Sequence, residues 1–284
     1  MLIANPISGG GRGRQLAPQL ASALRERGVH AEFHLTTAAG DGALQARAAG
    51  SEPWDGLVAI GGDGTVNEVL NGMPDPTRPL GVLPVGTANV LAMELGLPRK
   101  VEACADLLAR GATRPLAIGR CGERRFLLFV GVGIDGAVVH RLSQVRTGTL
   151  GKHKWLGPIL HTAWHWPRYA LRATFADGEV LDDLSSVLVT RVRNYGGVVL
   201  LPKSVDAASG LLHVLCFRSR SRTAWLWQGL RGMCGRMQAG PNLLVRTATS
   251  LRIDGEAPFQ IDGDHGGMAP VQVDLLPQAA NVFA

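Results

Sequence analysis

Hydrophobic positions along the first 118 residues alternate between two periods. Short apolar runs at 2–4, 29–35, 56–60, 80–83 and 115–118 predict strands. Between them Leu16, Leu20, Ala23 and Leu24 recur at helical spacing, as do Val66, Val69 and Leu70, then Val90, Leu91 and Leu95. The stretch 101–108 predicts one more helix. Strand and helix in alternation, joined by Gly-rich connections, predict βαβ units and hence a Rossmann-like parallel sheet with helices on both faces. Ligands of such sheets bind beyond the carboxyl ends of the strands.

Past residue 123 the rhythm shortens. Runs at 124–130, 169–175, 184–192, 211–217, 243–245, 251–253, 259–261 and 271–275 predict strands, with Asp177-Gly178 and Asp254-Gly255 as hairpin turns. Two helical stretches interrupt them near 153–166 and 221–237. The fold class read from this pattern is α/β + β. An α/β domain over 1–118 is followed by a mostly antiparallel, sandwich-like β domain over 119–284, whose extreme C-terminus is free to pack back on the first.

Composition adds exclusions. The chain has 284 residues, 46% hydrophobic and 18% charged, which is ample for a core and excludes dominant disorder. No apolar run reaches the 18 or so residues that span a bilayer. The start, Met1-Leu2-Ile3-Ala4-Asn5-Pro6, lacks a basic segment and a long apolar one, so no secretory signal is read there. Four scattered cysteines without a CxxC pair argue against a disulfide framework or zinc site and suit a reducing cytoplasm.

Charge changes the picture more. Residues 1–120 hold eleven basic and eleven acidic side chains, and 121–284 hold eighteen against twelve, so the second half carries the whole net charge of +6. No acid occurs between Asp135 and Asp177, where Arg141, Arg146, Lys152, Lys154, Arg168 and Arg172 lie among Trp155, Trp164 and Trp166. None occurs between Asp206 and Asp254 either, a stretch with seven Arg, Trp225 and Trp227. Cationic, Trp-bearing helical segments predict a peripheral anionic membrane surface as partner. Nucleic acid is disfavoured because no recognition module is visible.

Two familiar nucleotide fingerprints fail. Gly131-Val132-Gly133-Ile134-Asp135-Gly136 matches G-x-G-x-x-G but lacks the acid about 20 positions on that holds a ribose, and is read as a tight bend. No Lys has a Walker A context. A stronger signal is Gly61-Gly62-Asp63-Gly64-Thr65-Val66-Asn67-Glu68, directly after the predicted strand at 56–60. Glycines at a strand end let the backbone approach phosphate oxygens, and the following helix offers its positive end to the same anion. Asp63 can address a phosphate-bound Mg²⁺, and Thr65 can donate to an oxygen or cap the helix.

Two further loops accompany it, Asn5-Pro6-Ile7-Ser8-Gly9-Gly10-Gly11 after the first strand and Leu83-Pro84-Val85-Gly86-Thr87-Ala88-Asn89-Val90-Leu91-Ala92 after the fourth. With all three in order, the sequence resembles the diacylglycerol kinase catalytic family, bacterial-type, whose lipid kinases also include sphingosine and ceramide kinases. Its N-P-x-[SA]-G, G-G-D-G-T-x-N-E and L-P-x-G-T-x-N-x-x-A motifs are all present. The resemblance implies that Asn5, Pro6, Ser8 and Gly9, with Gly61, Gly62, Asp63, Gly64, Thr65, Asn67 and Glu68, cradle the phosphates of ATP·Mg²⁺. Gly86, Thr87 and Asn89 of the third motif join them, and Thr36, ahead of Gly40-Asp41, matches a T-x-x-x-G-D pattern that contacts nucleotide.

In the second half, Pro258-Phe259-Gln260-Ile261-Asp262-Gly263-Asp264 looks like the family's P-x-Q-x-D-G-E. The resemblance makes Asp264, one methylene shorter than the family's Glu, the acceptor of the lipid hydroxyl's proton, with Asp262 beside it and Asp63 as the third catalytic carboxylate. The family's Asp-rich Mg²⁺ loop, roughly P-D-A-x-x-D-D-G-L, is represented by 202–211, with Asp206 as its one carboxylate and sole metal candidate. The function implied is transfer of the γ-phosphoryl of ATP to a membrane lipid hydroxyl by a cytoplasmic, peripherally membrane-associated enzyme, a homodimer being compatible. Rival readings are an NAD kinase-like phosphotransferase, which shares a GGDG loop, and a catalytically weak lipid- or nucleotide-binding protein.

Overall fold

A computed structural model describes residues 1–145, 155–218, 221–276 and 280–284. The chain forms two compact units, one over Met1–Ala117 with the C-terminal strand, the other over Ile118–Leu276.

The first unit runs β1 (Leu2–Ala4), α1 (Ser8–Glu26), β2 (Phe33–Leu35), α2 (Asp41–Ala49), β3 (Leu57–Gly61), α3 (Asp63–Gly72), β4 (Leu80–Pro84), α4 (Val90–Leu95), α5 (Val101–Arg110) and β5 (Thr113–Leu116). The last strand of the chain, β20 (Ala280–Phe283), completes a six-stranded sheet of order β2-β1-β3-β4-β20-β5. Pairings from β2 to β20 are parallel, and β5 closes the edge antiparallel. Strands β3 and β4 are buried at every residue, as a parallel sheet covered on both faces requires. On one face Leu20 and Leu24 of α1 and Ala105 and Leu108 of α5 pack with Val58, Ile60 and Leu83, while α2 and α3 pack together on the other. The predicted strand at 29–35 shrinks to Phe33–Leu35.

In the second unit β6 (Gly119–Cys121), β7 (Arg124–Phe126) and β8 (Phe129–Gly133) lead into α6 (Ile134–Val145) and α7 (Leu156–His165). Then come β9 (Leu171–Phe175), β10 (Val180–Leu184), β11 (Ser186–Thr190), β12 (Asn194–Tyr195), β13 (Val199–Leu200) and β14 (Leu212–Phe217). Helix α8 (Arg222–Met233) precedes β15 (Leu243–Ala248), β16 (Ser250–Asp254), β17 (Pro258–Ile261), β18 (Asp264–Met268) and β19 (Val271–Leu275). Two antiparallel six-stranded sheets, β10-β9-β16-β19-β6-β7 and β15-β14-β11-β8-β17-β18, share one core that includes Phe126, Val132, Phe175, Val189, Ile253 and Val273. Alternation is plain in β9, where Leu171, Ala173 and Phe175 are buried between exposed Arg172 and half-buried Thr174.

Three expectations are corrected here. The G-x-G-x-x-G stretch is no mere bend: β8 passes directly into α6, and that helix packs over β8 and β17. Asp254-Gly255 is not a hairpin turn, because β16 and β17 belong to different sheets. The single strand predicted at 124–130 breaks at Leu127-Leu128, for a reason given below. Arg146, Lys152 and Lys154, counted in the basic windows, lie outside the described residues. Among the described residues no helix is long and apolar enough to cross a membrane.

Candidate active site

In the first unit the three Gly-rich loops leave the carboxyl ends of β1, β3 and β4, which are neighbours in the sheet. Asn5 starts the first loop. Its N–H donates to the Ile60 carbonyl at 3.0 Å, and its Oδ1 accepts the Ile7 N–H at 3.1 Å. Gly9, Gly10 and Gly11 follow with φ of +61°, +71° and +96°, three left-handed residues that side-chain-bearing ones avoid. Arg12 ties this loop to the third, Nε donating to the Gly9 carbonyl at 3.2 Å and Nη2 to that of Val85 at 3.3 Å. Ser8 beside it is buried.

Second and third loops interlock. A Cβ on Gly86 would lie 2.5 Å from the Gly62 Cα, so glycine at both positions lets the two backbones touch. Asp63 receives the Val90 N–H on Oδ2 and the Leu91 N–H on Oδ1, each at 3.1 Å. Its carboxylate therefore caps α4, taking one amide on each oxygen. Burial pushes its pKa up while the α4 amides pull the other way. Thr65 does not cap α3; it is buried with its side chain against Gly61, and Gly62 begins the helix without a side-chain cap. Asn89 adopts a left-handed φ of 49° and donates from Nδ2 to the Gly86 carbonyl at 2.8 Å. Its buried Oδ1 has no partner in the protein.

Glu68 takes the Gly40 N–H at 3.2 Å and so holds the 36–41 loop. Thr36 is buried and donates its N–H to Ala4, whereas Thr87 is exposed. Asn67 is buried and bonded by the Asn71 amide. Beside Thr36, Asp41 accepts from the Thr37 N–H at 2.7 Å and from His34 Nε2 at 3.1 Å, which hold its pKa at about 2. Sequence reasoning missed the tasks of Arg12, His34 and Asp41. What the loops leave is an open backbone cradle: a Cβ at Gly10, Gly11 or Gly64 would meet nothing within 4 Å. Backbone N–H groups and the start of α3 around such a cradle suit a polyphosphate.

In the second unit the tight hairpin between β17 and β18 turns at Asp262 and Gly263, whose φ of 49° and 90° are the pair a two-residue primed turn demands. Asp262 accepts backbone N–H groups from Leu127, Leu128 and Phe129 at 2.9, 2.9 and 2.8 Å. Turning those amides onto a carboxylate interrupts the ladder and separates β7 from β8. Asp262 is thus an anchor of the hairpin. Asp264 opens β18 with its side chain 42% exposed, and Arg124 Nη2 donates to Oδ2 at 2.9 Å.

Gln260, almost fully buried, accepts the Gly263 N–H on Oε1 and donates from Nε2 to Asp135 Oδ2, both at 2.8 Å. Asp135, in the first turn of α6, also receives the Tyr195 hydroxyl proton. Burial pushes the Asp135 pKa up against both bonds. His265, next to Asp264, meets His140 of α6 in a tilted ring contact with centroids 4.4 Å apart, and burial, then His140, push its pKa down. The residues overlooked in the sequence are Arg124, Asp135, Tyr195 and the two histidines. Asp135 did lie inside a quoted motif, but nothing in its spacing joined it to Gln260 or Tyr195.

The loop at 202–211 does not fit a divalent cation. Among the described residues no three His, Cys, Asp or Glu side chains cluster as metal ligands. The loop is held instead by Arg191, 2% exposed, whose guanidinium donates to the Leu211 carbonyl and, at 3.0 Å, to that of Ala207. Asp206 faces it, raising a pKa that burial lowers. His213 Nε2 meets the Ser209 hydroxyl at 2.9 Å and the Asp206 carbonyl at 2.8 Å.

Residues 1–121 match the diacylglycerol kinase catalytic domain model, and 129–284 match the YegS C-terminal NAD kinase beta sandwich-like domain model. A diacylglycerol kinase of Bacillus subtilis is 28% identical over 281 residues, 95% of this chain and 90% of that protein. One from Staphylococcus aureus is 27% identical, covering all of this chain and 91% of its own length. A crystal structure of a diacylglycerol kinase from Bacillus anthracis, 23% identical, superposes over 99% of this chain and 95% of that one with a TM-score of 0.74, sharing the fold.

Proposed function

The chain belongs to the diacylglycerol kinase family of bacterial lipid kinases, and from that premise we propose that it transfers the γ-phosphoryl of ATP, taken as its Mg²⁺ complex, to the hydroxyl of a membrane lipid. One observation carries the reading: three loops far apart in sequence interlock around glycines whose outer faces are open. In phosphoryl transfer the protein contributes position and electrostatics more than covalent chemistry. The loop amides and the N-terminus of α3 are placed to take charge that develops on phosphate oxygens. The lipid oxygen bonds the γ-phosphorus, the bond to the β-phosphate oxygen breaks, ADP leaves, and the hydroxyl proton passes to the Asp264 carboxylate. Arg124 and the anchored hairpin hold that carboxylate in one place, as a general base must be held.

Purified protein incubated with labelled ATP, Mg²⁺ and a panel of diacylglycerol, sphingoid base, prenol and phosphatidylglycerol should yield a labelled lipid on chromatography. ADP production that requires NAD instead of lipid would overturn the assignment. So would nucleotide binding with no turnover on any lipid.

A further inference from the structure

Helices α7 and α8 are turned inside out. Helix α8 buries Gln228 and Gly232 and directs Trp227, Leu230 and Met233 to solvent, while α7 buries Pro158, Thr162 and Ala163 and presents Leu156, Leu160 and Trp164 at intervals of four. Those six apolar side chains are 50–77% exposed. A helix in contact with water on its outer face orients the other way, large apolar residues inward. The Gln228 Oε1 is even left buried without a partner. Geometry also divides the tryptophans. Trp166, ending α7, packs on Trp225 of α8 with ring centroids 6.1 Å apart, so this pair joins the helices. Trp164 and Trp227 project.

We propose that the outer face of α7 and α8 is a docking surface for an anionic lipid bilayer. Neither helix carries a carboxylate, and exposed Arg168 and Arg222 border the apolar side chains. Tryptophan and leucine entering the acyl boundary beside arginine at headgroup level is the composition an interfacial helix uses. A second copy of the chain would set this basic face against its equal, and the repulsion favours negatively charged lipid. The biological purpose rests on the lipid-kinase reading, but the binding does not need turnover.

Co-sedimentation of the full chain, without nucleotide, with phosphatidylcholine vesicles and with vesicles containing phosphatidylglycerol tests it. Binding should favour the anionic vesicles and weaken as salt shortens the range of charge attraction. Trp164→Ala with Trp227→Ala should lower binding about tenfold or more, because two large apolar anchors are lost. That variant should keep its melting temperature and its activity on a short-chain lipid in detergent. Trp166→Ala with Trp225→Ala should lower the melting temperature instead. Equal vesicle binding by wild type and the Trp164/Trp227 variant would overturn the proposal. So would a dimer in the wild type that this variant dissolves, since a second copy would then cover the face. Vesicle binding without phosphorylation of any lipid would leave the surface standing and remove only the assigned reaction.

Discussion

In the first unit the Gly-rich loops are fastened to one another by backbone groups. Asp63 crosses to the amides of Val90 and Leu91, Arg12 to the Val85 carbonyl, and Glu68 to the Gly40 amide. In the second unit Asp264 stands on a hairpin fixed by side chains, half-buried Asp262 on three amides and buried Gln260 between Gly263 and Asp135. Both units use carboxylates as fasteners, Asp63 and Glu68 in one and Asp262 in the other. They differ in what faces solvent: a backbone cradle in one, the half-exposed Asp264 carboxylate paired with Arg124 in the other. Removing a fastener should therefore damage nucleotide binding in the first unit and turnover in the second.

The largest expected effect breaks that contrast at its sharpest point. Asp264→Asn should lower kcat about 10²–10⁴-fold, the usual worth of a positioned general base, with ATP affinity unchanged in calorimetry. Asp264→Glu should keep most of the activity. Comparable loss of ATP affinity in Asp264→Asn would show that the two units do not divide the work this way.

Next come the two fasteners. Asp262→Ala strips three amides of a charged acceptor and should destabilise by about 2–3 kcal/mol in denaturant melts. Turnover should fall further than ATP binding. Asp63→Ala removes a helix cap, a loss of about 1–2 kcal/mol, and should weaken ATP binding first. The order of the two readouts is the test.

Arg191 sharpens the comparison from another side, because it holds a loop with a side-chain cation. Arg191→Met should cost about 2–4 kcal/mol by leaving the Ala207 and Leu211 carbonyls without a donor. EDTA and Mg²⁺ should leave the melting temperature of the nucleotide-free wild type unchanged. A rise with Mg²⁺ would mean that the 202–211 loop takes a metal after all.

The smallest effect is that of pH on Asp41. Its folded pKa of about 2 lies below the ordinary 3.8, so the stabilisation it supplies is present above about pH 4. It is lost as pH falls through 2. Asp41→Asn should therefore be less stable than wild type at neutral pH, and the gap should close in acid.

Much of this protein was decided by its sequence. Two periods of hydrophobicity divided the chain near residue 118, and contiguous Gly-rich motifs marked the three loops at the strand ends, because backbone recognition of an anion needs small residues in an unbroken run. Asp264 was marked only by resemblance to the family's P-x-Q-x-D-G-E motif, of which the hairpin turn itself requires Asp262-Gly263. What each carboxylate bonds to was decided only in three dimensions. Asp63 and Asp262 look like reactive groups in sequence, and amides 27 and about 135 positions away bond to them. The Asp135–Gln260–Tyr195 network, Arg191 in the loop at 202–211 and the outward Trp164 and Trp227 are equally products of packing. Local pattern records which residues could face one another along a helix or strand. Hydrogen-bond partners drawn from different sheets, and the face a helix turns to solvent, follow from how those elements are stacked.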